Sequence, residues 1–422
     1  MKFDYKSRIY DKILAKKLAC TGAVLIEGPK WCGKTATAEQ AAKSAVYLQD
    51  PDKAIHYAEV MNSKPSLLLN GETPLLLDEW QMYPSIWDAV RYAIDRRGAV
   101  GQFILTGSAV PTDNATQHTG TGRIARMTMR PMSLYESGDS KGGVSLRELF
   151  DGTAENIESI TDTPIEELAY LVARGGWPGA LTLSREARLE VPRNYLDMVI
   201  YQDVSRIDNI EKNPERVRLL LRSLARNTAT LASNKTILQD IETNDIGISD
   251  RTLDSYLNAL RRIFVIEDIP AWMPNIRSKS AIRTSNKRLF CDPSMAVAAL
   301  RLTPEKILQD FETFGFLFEA LCARDIKVYA QANDGEVLHY RDRTGLEADM
   351  IISLYDGRWA PVEVKLGSRQ IDDAVRNLLT LKQKVEDAEL TPPSFMMVLT
   401  GGNTSYRRDD GIYVVPVTNL KD

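Results

Sequence analysis

Nine residues near the N-terminus have the types and spacing to hold a polyphosphate. Gly28, Pro29, Lys30, Trp31, Cys32, Gly33, Lys34, Thr35 and Ala36 read GPKWCGKTA, which fits G-x-x-x-x-G-K-[ST]. Glycines let main-chain N–H groups curl around an anion, and a helix N-terminus adds positive potential. Lys34 is spaced to reach the β and γ phosphates and Thr35 to ligate Mg²⁺, so the expected ligands are ATP and Mg²⁺. A second acidic pair follows in LLLDEW, with 43 residues between Lys34 and Asp78. Asp78 can hold the metal through water, and Glu79 can polarise the attacking water. FILTGSA ends another apolar run with Thr106 and Ser108, which can contact the γ-phosphate or that water. Either hydroxyl could instead simply cap a strand. Arg123, Arg126 and Arg130 follow a glycine-rich loop. An arginine here can reach the phosphate of a neighbouring subunit as a finger, or can face solvent as an ordinary strand residue.

A second constellation lies near the other end. Glu347 and Asp349 are two apart on an expected strand and so share a face. Thirteen residues separate Asp349 from Glu363, and Lys365 follows two further on. A tight Asp356–Gly357 turn between the two runs would bring Asp349, Glu363 and Lys365 together. This is the D-x(n)-E-x-K pattern: two carboxylates hold Mg²⁺, and the lysine orients water or steadies phosphorane charge. Glu319, in GFLFEALCARD, fits an extra acidic position, and Gln370 lies just beyond the lysine strand. A hairpin with paired charges would show the same letters.

The elements that must position these groups follow from apolar periodicity. Residues 23–28, 46–49, 74–79, 103–107 and 125–129 read as strands, and 35–45 as a helix, which predicts a parallel sheet covered by helices. SGDSKGG (137–143) reads as a loop, and 144–232 as mostly helical. Residues 233–300 read as a winged helix, with 264–272 as one of its strands. Its basic hairpin carries Arg277, Lys279, Arg283, Lys287 and Arg288, and the preceding helix carries Arg251, Arg261 and Arg262. Such residues contact phosphate without choosing sequence, or form a solvated face. Residues 337–342, 347–354, 358–366 and 395–400 read as strands of a mixed C-terminal part.

Composition narrows the classes. The chain has 422 residues, too many for one core, and a net charge of −4, so no global basic field exists. Four scattered cysteines without CxxC give neither a zinc ribbon nor a disulfide framework, which fits reduced thiols in the cytoplasm. No signal core is present, and no apolar run approaches the roughly 20 residues that span a bilayer.

WCGKT, LLLDEWQ, LTGSA, GRIARMTMRPMSLYESG and GGWPGAL, in this order and spacing, resemble a prokaryotic family that joins an AAA-type ATPase to a C-terminal domain of unknown function. The resemblance covers nearly the whole chain. It implies a lid near ARGGWPGALTL, with Arg174 within reach of phosphate, although Trp177 could equally plug a tight helix connection. It also supports a nuclease-like C-terminal fold. The expected architecture is α/β: a P-loop ATPase core (1–136), a helical lid (137–232), a winged helix (233–300) and a restriction-endonuclease-like α+β domain (301–422). The expected activity is ATP hydrolysis coupled to DNA remodelling or translocation, in a homo-oligomer that could be a hexameric ring. The alternative is a signalling or defence switch whose C-terminal modules dock proteins.

Overall fold

A computed structural model of the chain describes residues 5–108, 120–155, 157–206, 212–242, 249–273 and 285–422. Its contacts group the chain into two compact units, whereas the sequence suggests four segments. One unit holds Met1–Pro131 with Gln202–Glu211 and Leu257–Val265, and the other holds the rest.

The first unit is built on five strands: β1 (Ala23–Glu27), β2 (Ser44–Tyr47), β3 (Leu75–Asp78), β4 (Phe103–Gly107) and β5 (Ile124–Thr128). They run in the order β2-β3-β4-β1-β5, and every pairing is parallel. Alternation along the strands sorts their side chains. Leu25, Leu75, Leu77, Phe103 and Leu105 pack with Trp87, Val90 and Ile94 of helix Ser85–Arg97. The intervening residues face the other way, towards helices Ile9–Leu18 and Lys34–Ala41. Asp78 and Thr106 fall on this second face, the face of the P-loop helix. The helix expected over 35–45 stops at Ala41, because Ala42 turns extended (ψ 142°). Lys43 N–H then donates to Pro74 C=O (2.9 Å), which starts β2 two residues earlier than its apolar pattern suggests.

The second unit carries a seven-stranded sheet of order β7-β12-β13-β11-β10-β9-β8. Its strands are β7 (Ser159–Ile160), β8 (Gly335–Arg341), β9 (Glu347–Leu354), β10 (Trp359–Lys365), β11 (Met397–Thr400), β12 (Thr404–Arg407) and β13 (Tyr413–Pro416). A separate two-stranded ladder joins β6 (Val144–Ser145) to β14 (Leu420–Lys421). Thus the segment expected as a lid lends strands to both C-terminal ladders. The Asp-Gly turn forms as expected, with Gly357 at φ 90°, a conformation that favours glycine. Helix Ile371–Asp387 covers one part of the sheet through Ala374, Val375 and Leu378. The long helix Phe311–Ala332 packs on β8, β9 and β10.

Of the 233–300 segment, residues 233–242, 249–273 and 285–300 are described. Helices Asn234–Glu242 and Asp250–Arg262 form there, and among the described residues the expected strand 264–272 meets its return through isolated bridges, Ile266 to Phe290 and Ile269 to Lys287. Pro270 has no N–H to extend a ladder. Its carbonyl instead accepts from His339 N (2.9 Å), and Trp272 N donates to His339 O (2.6 Å), which ties the segment to β8. Arg277, Lys279 and Arg283 lie outside the described residues. No helix among the described residues is long and apolar enough to cross a membrane.

Candidate functional site

The P-loop runs from the end of β1 to helix Lys34–Ala41. Gly28 has φ 152°, and a Cβ there would lie 2.1 Å from Met129 O, so only glycine fits. Gly33 caps the helix in the left-handed region without a side-chain bond to its N-terminus, which leaves the first N–H groups for an anion. Trp31 is also left-handed (φ 64°), strain that a non-glycine residue bears at about 1–3 kcal/mol. Its ring is 66% exposed. Lys34 is buried, and its Nζ donates to Gly28 O (3.0 Å) and Pro29 O (2.8 Å). These two carbonyls hold the ammonium at the loop, where a phosphate would meet it. Arg8, itself buried, donates to Cys32 O (2.7 Å) and Arg130 O (2.9 Å), pinning the loop to the end of β5.

Asp78 gathers the neighbouring strand ends. Thr35 Oγ1 (2.7 Å) and Thr106 Oγ1 (2.6 Å) both donate to its Oδ1, and Gln49 Nε2 donates to Oδ2 (3.1 Å). A hydroxyl beside a carboxylate is a donor set that suits Mg²⁺, which prefers a few protein oxygens and water. Glu79 follows in the left-handed region (φ 56°), with its N–H on Thr106 Oγ1 (3.2 Å). That turn points the carboxylate at Ser108, whose Oγ donates to it at 3.2 Å, and at the Gln81 amide. Thr35, Asp78, Glu79, Thr106 and Ser108 therefore form one cluster. Gln49 and Gln81 join it without having been expected, as Arg8 joins the loop. Gln49 and Gln81 each lie just past a strand end, and that position is the signal that could have found them.

The two finger candidates are about half exposed. Arg123 pairs with Asp95 (2.9 Å) and Arg126 with Glu27 (3.2 Å), both at the surface. The Cys32 side chain points away from the phosphate position. It is fully buried and its Sγ donates to Met129 O (3.5 Å), so within this loop only its backbone can serve an anion. A thiol reagent added to native protein should therefore titrate exposed Cys20 and spare buried Cys32, Cys291 and Cys322. Counting one fast thiol per chain, against four after denaturation, checks this.

In the second unit, Arg174 is not a phosphate ligand. It is buried, and its guanidinium donates to Asp139 Oδ2 (2.8 Å) and Gly175 O (3.0 Å). Trp177 is a plug: it stacks on Tyr195 at 4.7 Å and donates to Ser294 Oγ (3.0 Å).

The D…E-x-K residues converge. Lys365 Nζ lies 2.7 Å from Glu363 Oε2 and 3.6 Å from Asp349 Oδ2. Asp349 Oδ2 also accepts from Val364 N (2.9 Å). Glu319, on the long helix, joins through Lys287, whose Nζ is 2.5 Å from Glu319 Oε1 and 3.4 Å from Asp349 Oδ1. Burial and then the nearby Asp349 charge push the Glu363 carboxyl well above its usual range. The same two causes raise Glu319 to about 7. Burial opposes ionisation of Asp349 too, but Lys287 and Lys365 hold it below its ordinary value. Gln370 is exposed, just ahead of helix Ile371–Asp387.

The expected wing contacts fail at two positions. Lys287 is drawn into the carboxylate cluster. Arg288 is buried and donates to Asp268 (3.0 Å), Ala232 O (3.0 Å) and Asn234 (2.5 Å). Their charges are satisfied inside the protein, so neither is presented to a phosphate backbone.

Comparison with known proteins finds three family matches along the chain. An AAA domain matches residues 21–137, a domain of unknown function (DUF8612) matches 165–306, and another (DUF4143) matches 314–420. Uncharacterized proteins of Mycobacterium bovis and Mycobacterium tuberculosis are each 22% identical over 415 residues, covering 96% of this chain and 82% of theirs. A Walker-type ATPase of Pyrococcus abyssi is 16% identical, covering 70% of this chain and 96% of its own, with a TM-score of 0.42. The AAA match spans the P-loop, Asp78, Glu79, Thr106 and both arginines, so residues 21–137 are similar to an AAA domain and support a P-loop ATPase.

Proposed function

We propose that this protein binds ATP with Mg²⁺, hydrolyses it, and couples turnover to DNA remodelling or translocation. The observation that carries the ATP part is the convergence of Thr35 and Thr106 on Asp78, one residue before a Glu79 held by Ser108 and Gln81. The metal would neutralise charge on the phosphates when bound. Lys34 and the loop N–H groups bind the phosphates, Thr35 and Asp78 provide oxygens for the metal, and Glu79 orients and takes a proton from water. Arg123 and Arg126, both surface-exposed, are candidates to reach a second copy's nucleotide in a homo-oligomer.

The DNA part rests on the Asp349, Glu363 and Lys365 cluster in the second unit, whose chemistry suits a phosphodiester. One observation favours the rival, an ATP-controlled protein-docking switch: Lys287 and Arg288 turn inward and leave the expected basic wing. ATPase rates with and without duplex, single-stranded and branched DNA separate the two. At least one DNA form should raise the rate several-fold. Equal rates in all four conditions would move the protein to the switch reading.

A further inference from the structure

Lys287 enters the second unit's carboxylate cluster from outside the strands that build it. Its main chain is fixed by paired bonds to Ile269, both 2.9 Å. Its ammonium has three hydrogens and meets three oxygens: Glu319 Oε1 (2.5 Å), Asp349 O (3.0 Å) and Asp349 Oδ1 (3.4 Å). Two carboxylates from different elements plus a main-chain carbonyl are the oxygens that a hard divalent cation takes. Lys365 meets Glu363 Oε2 and the other oxygen of Asp349. One ligand position remains open. Glu363 is 1% exposed, yet its Oε1 accepts from nothing among the described residues. A buried acceptor left so is costly, which calls for a missing partner. No group of three or more acidic, histidine or cysteine side chains among the described residues is arranged to hold a metal. A cavity of about 230 Å³, lined by Lys287, Glu319, His339, Arg341, Glu347 and Asp349, adjoins the ammonium and gives that side chain room to leave.

We propose that Lys287 occupies the cation seat of this cluster, and that the cluster takes up a divalent metal ion only when that side chain has left it. The carboxylates are then held by an internal cation, and the segment bearing Lys287 controls access to the metal. The inference shares with the nuclease-like reading only the idea that these oxygens face one cation. It does not require cutting.

Mn²⁺ titration of the nucleotide-free full chain, followed by the electron paramagnetic resonance signal of the free ion, tests this. All proteins carry Thr35→Ala, which removes the P-loop hydroxyl ligand. Lys287→Ala should bind one more Mn²⁺ per chain than its parent, which should bind none through Glu363. Adding Glu363→Gln should abolish that extra ion. Lys287→Met retains the apolar stem and serves in its place if the alanine chain does not fold. A parent that already binds an ion lost on Glu363→Gln would overturn the proposal. So would folded Lys287 variants that gain none. DNA cutting, assayed separately with Mn²⁺ bound, reports on the nuclease-like reading alone: an ion bound without cutting sinks that reading and leaves this one standing.

Discussion

Lys34→Ala will lose measurable ATP binding, whereas Glu79→Gln will keep near-normal affinity and hydrolyse about 10²–10⁴ times more slowly. The split follows from where each side chain is anchored. Lys34 is held by the carbonyls of Gly28 and Pro29, inside the loop that must wrap the phosphates. Its removal takes a buried positive charge from the loop, and Lys30, the other lysine of the loop, is committed to Asp203 at 2.6 Å. Glu79 lies one residue beyond Asp78, and its carboxylate is held by Ser108 and Gln81 rather than by the loop. Glutamine preserves its shape and most hydrogen bonds but cannot take a proton from water. Fluorescent-nucleotide titration together with single-turnover phosphate release separates binding from chemistry. A Glu79→Gln protein with unaltered turnover would remove Glu79 from its role.

The largest stability effect belongs to Arg324. Its guanidinium is 1% exposed and bonds Asp325 Oδ1 (2.6 Å) and Asp292 Oδ2 (2.9 Å), both carboxylates fully buried. The pair organises the unit around it. Asp325 accepts Leu134 N (3.0 Å), and Asp292 accepts Gly176 N (2.9 Å) and Ser294 N (2.9 Å), beside the Trp177 plug. Breaking a buried ion pair by removing one partner costs about 3–5 kcal/mol, because the stranded charge stays in a dry interior. Arg324→Ala leaves two such carboxylates, so urea unfolding should show a loss at the upper end of that range. Arg324→Lys keeps the charge but not the fork that reaches both acids, so it should fall between. A loss below about 1 kcal/mol for the alanine variant would mean that the acids are satisfied without the arginine.

Much of the ATP site is legible in the chain because its parts are local or sit at strand ends. Strands β1, β3 and β4 of the first unit are built on continuous apolar runs, and their parallel register alone brings residues 28, 78 and 106 to one edge. What the chain hides are contacts between positions far apart. Arg8 serves the loop from 24 residues upstream, and Asp203 holds Lys30 across 173. Lys287 reads as part of a basic surface because arginines and lysines surround it. Only its partners, 32 and 62 residues further on, reveal it as an internal counter-ion. The strand expected over 264–272 contains Pro270, whose missing N–H is the local sign that a ladder could not run through it. Strands β12 and β13 are four residues each and carry too short a pattern to stand out from the loops beside them.

The most direct test of the account is phosphate release from ATP by the purified wild-type chain, measured with Mg²⁺, with excess EDTA, and against Lys34→Ala under the same conditions. Steady release that requires Mg²⁺ and falls to background in Lys34→Ala is the predicted result. Release by wild type no faster than by Lys34→Ala, with and without DNA, would contradict it, and the cluster around Asp78 would then bind nucleotide at most.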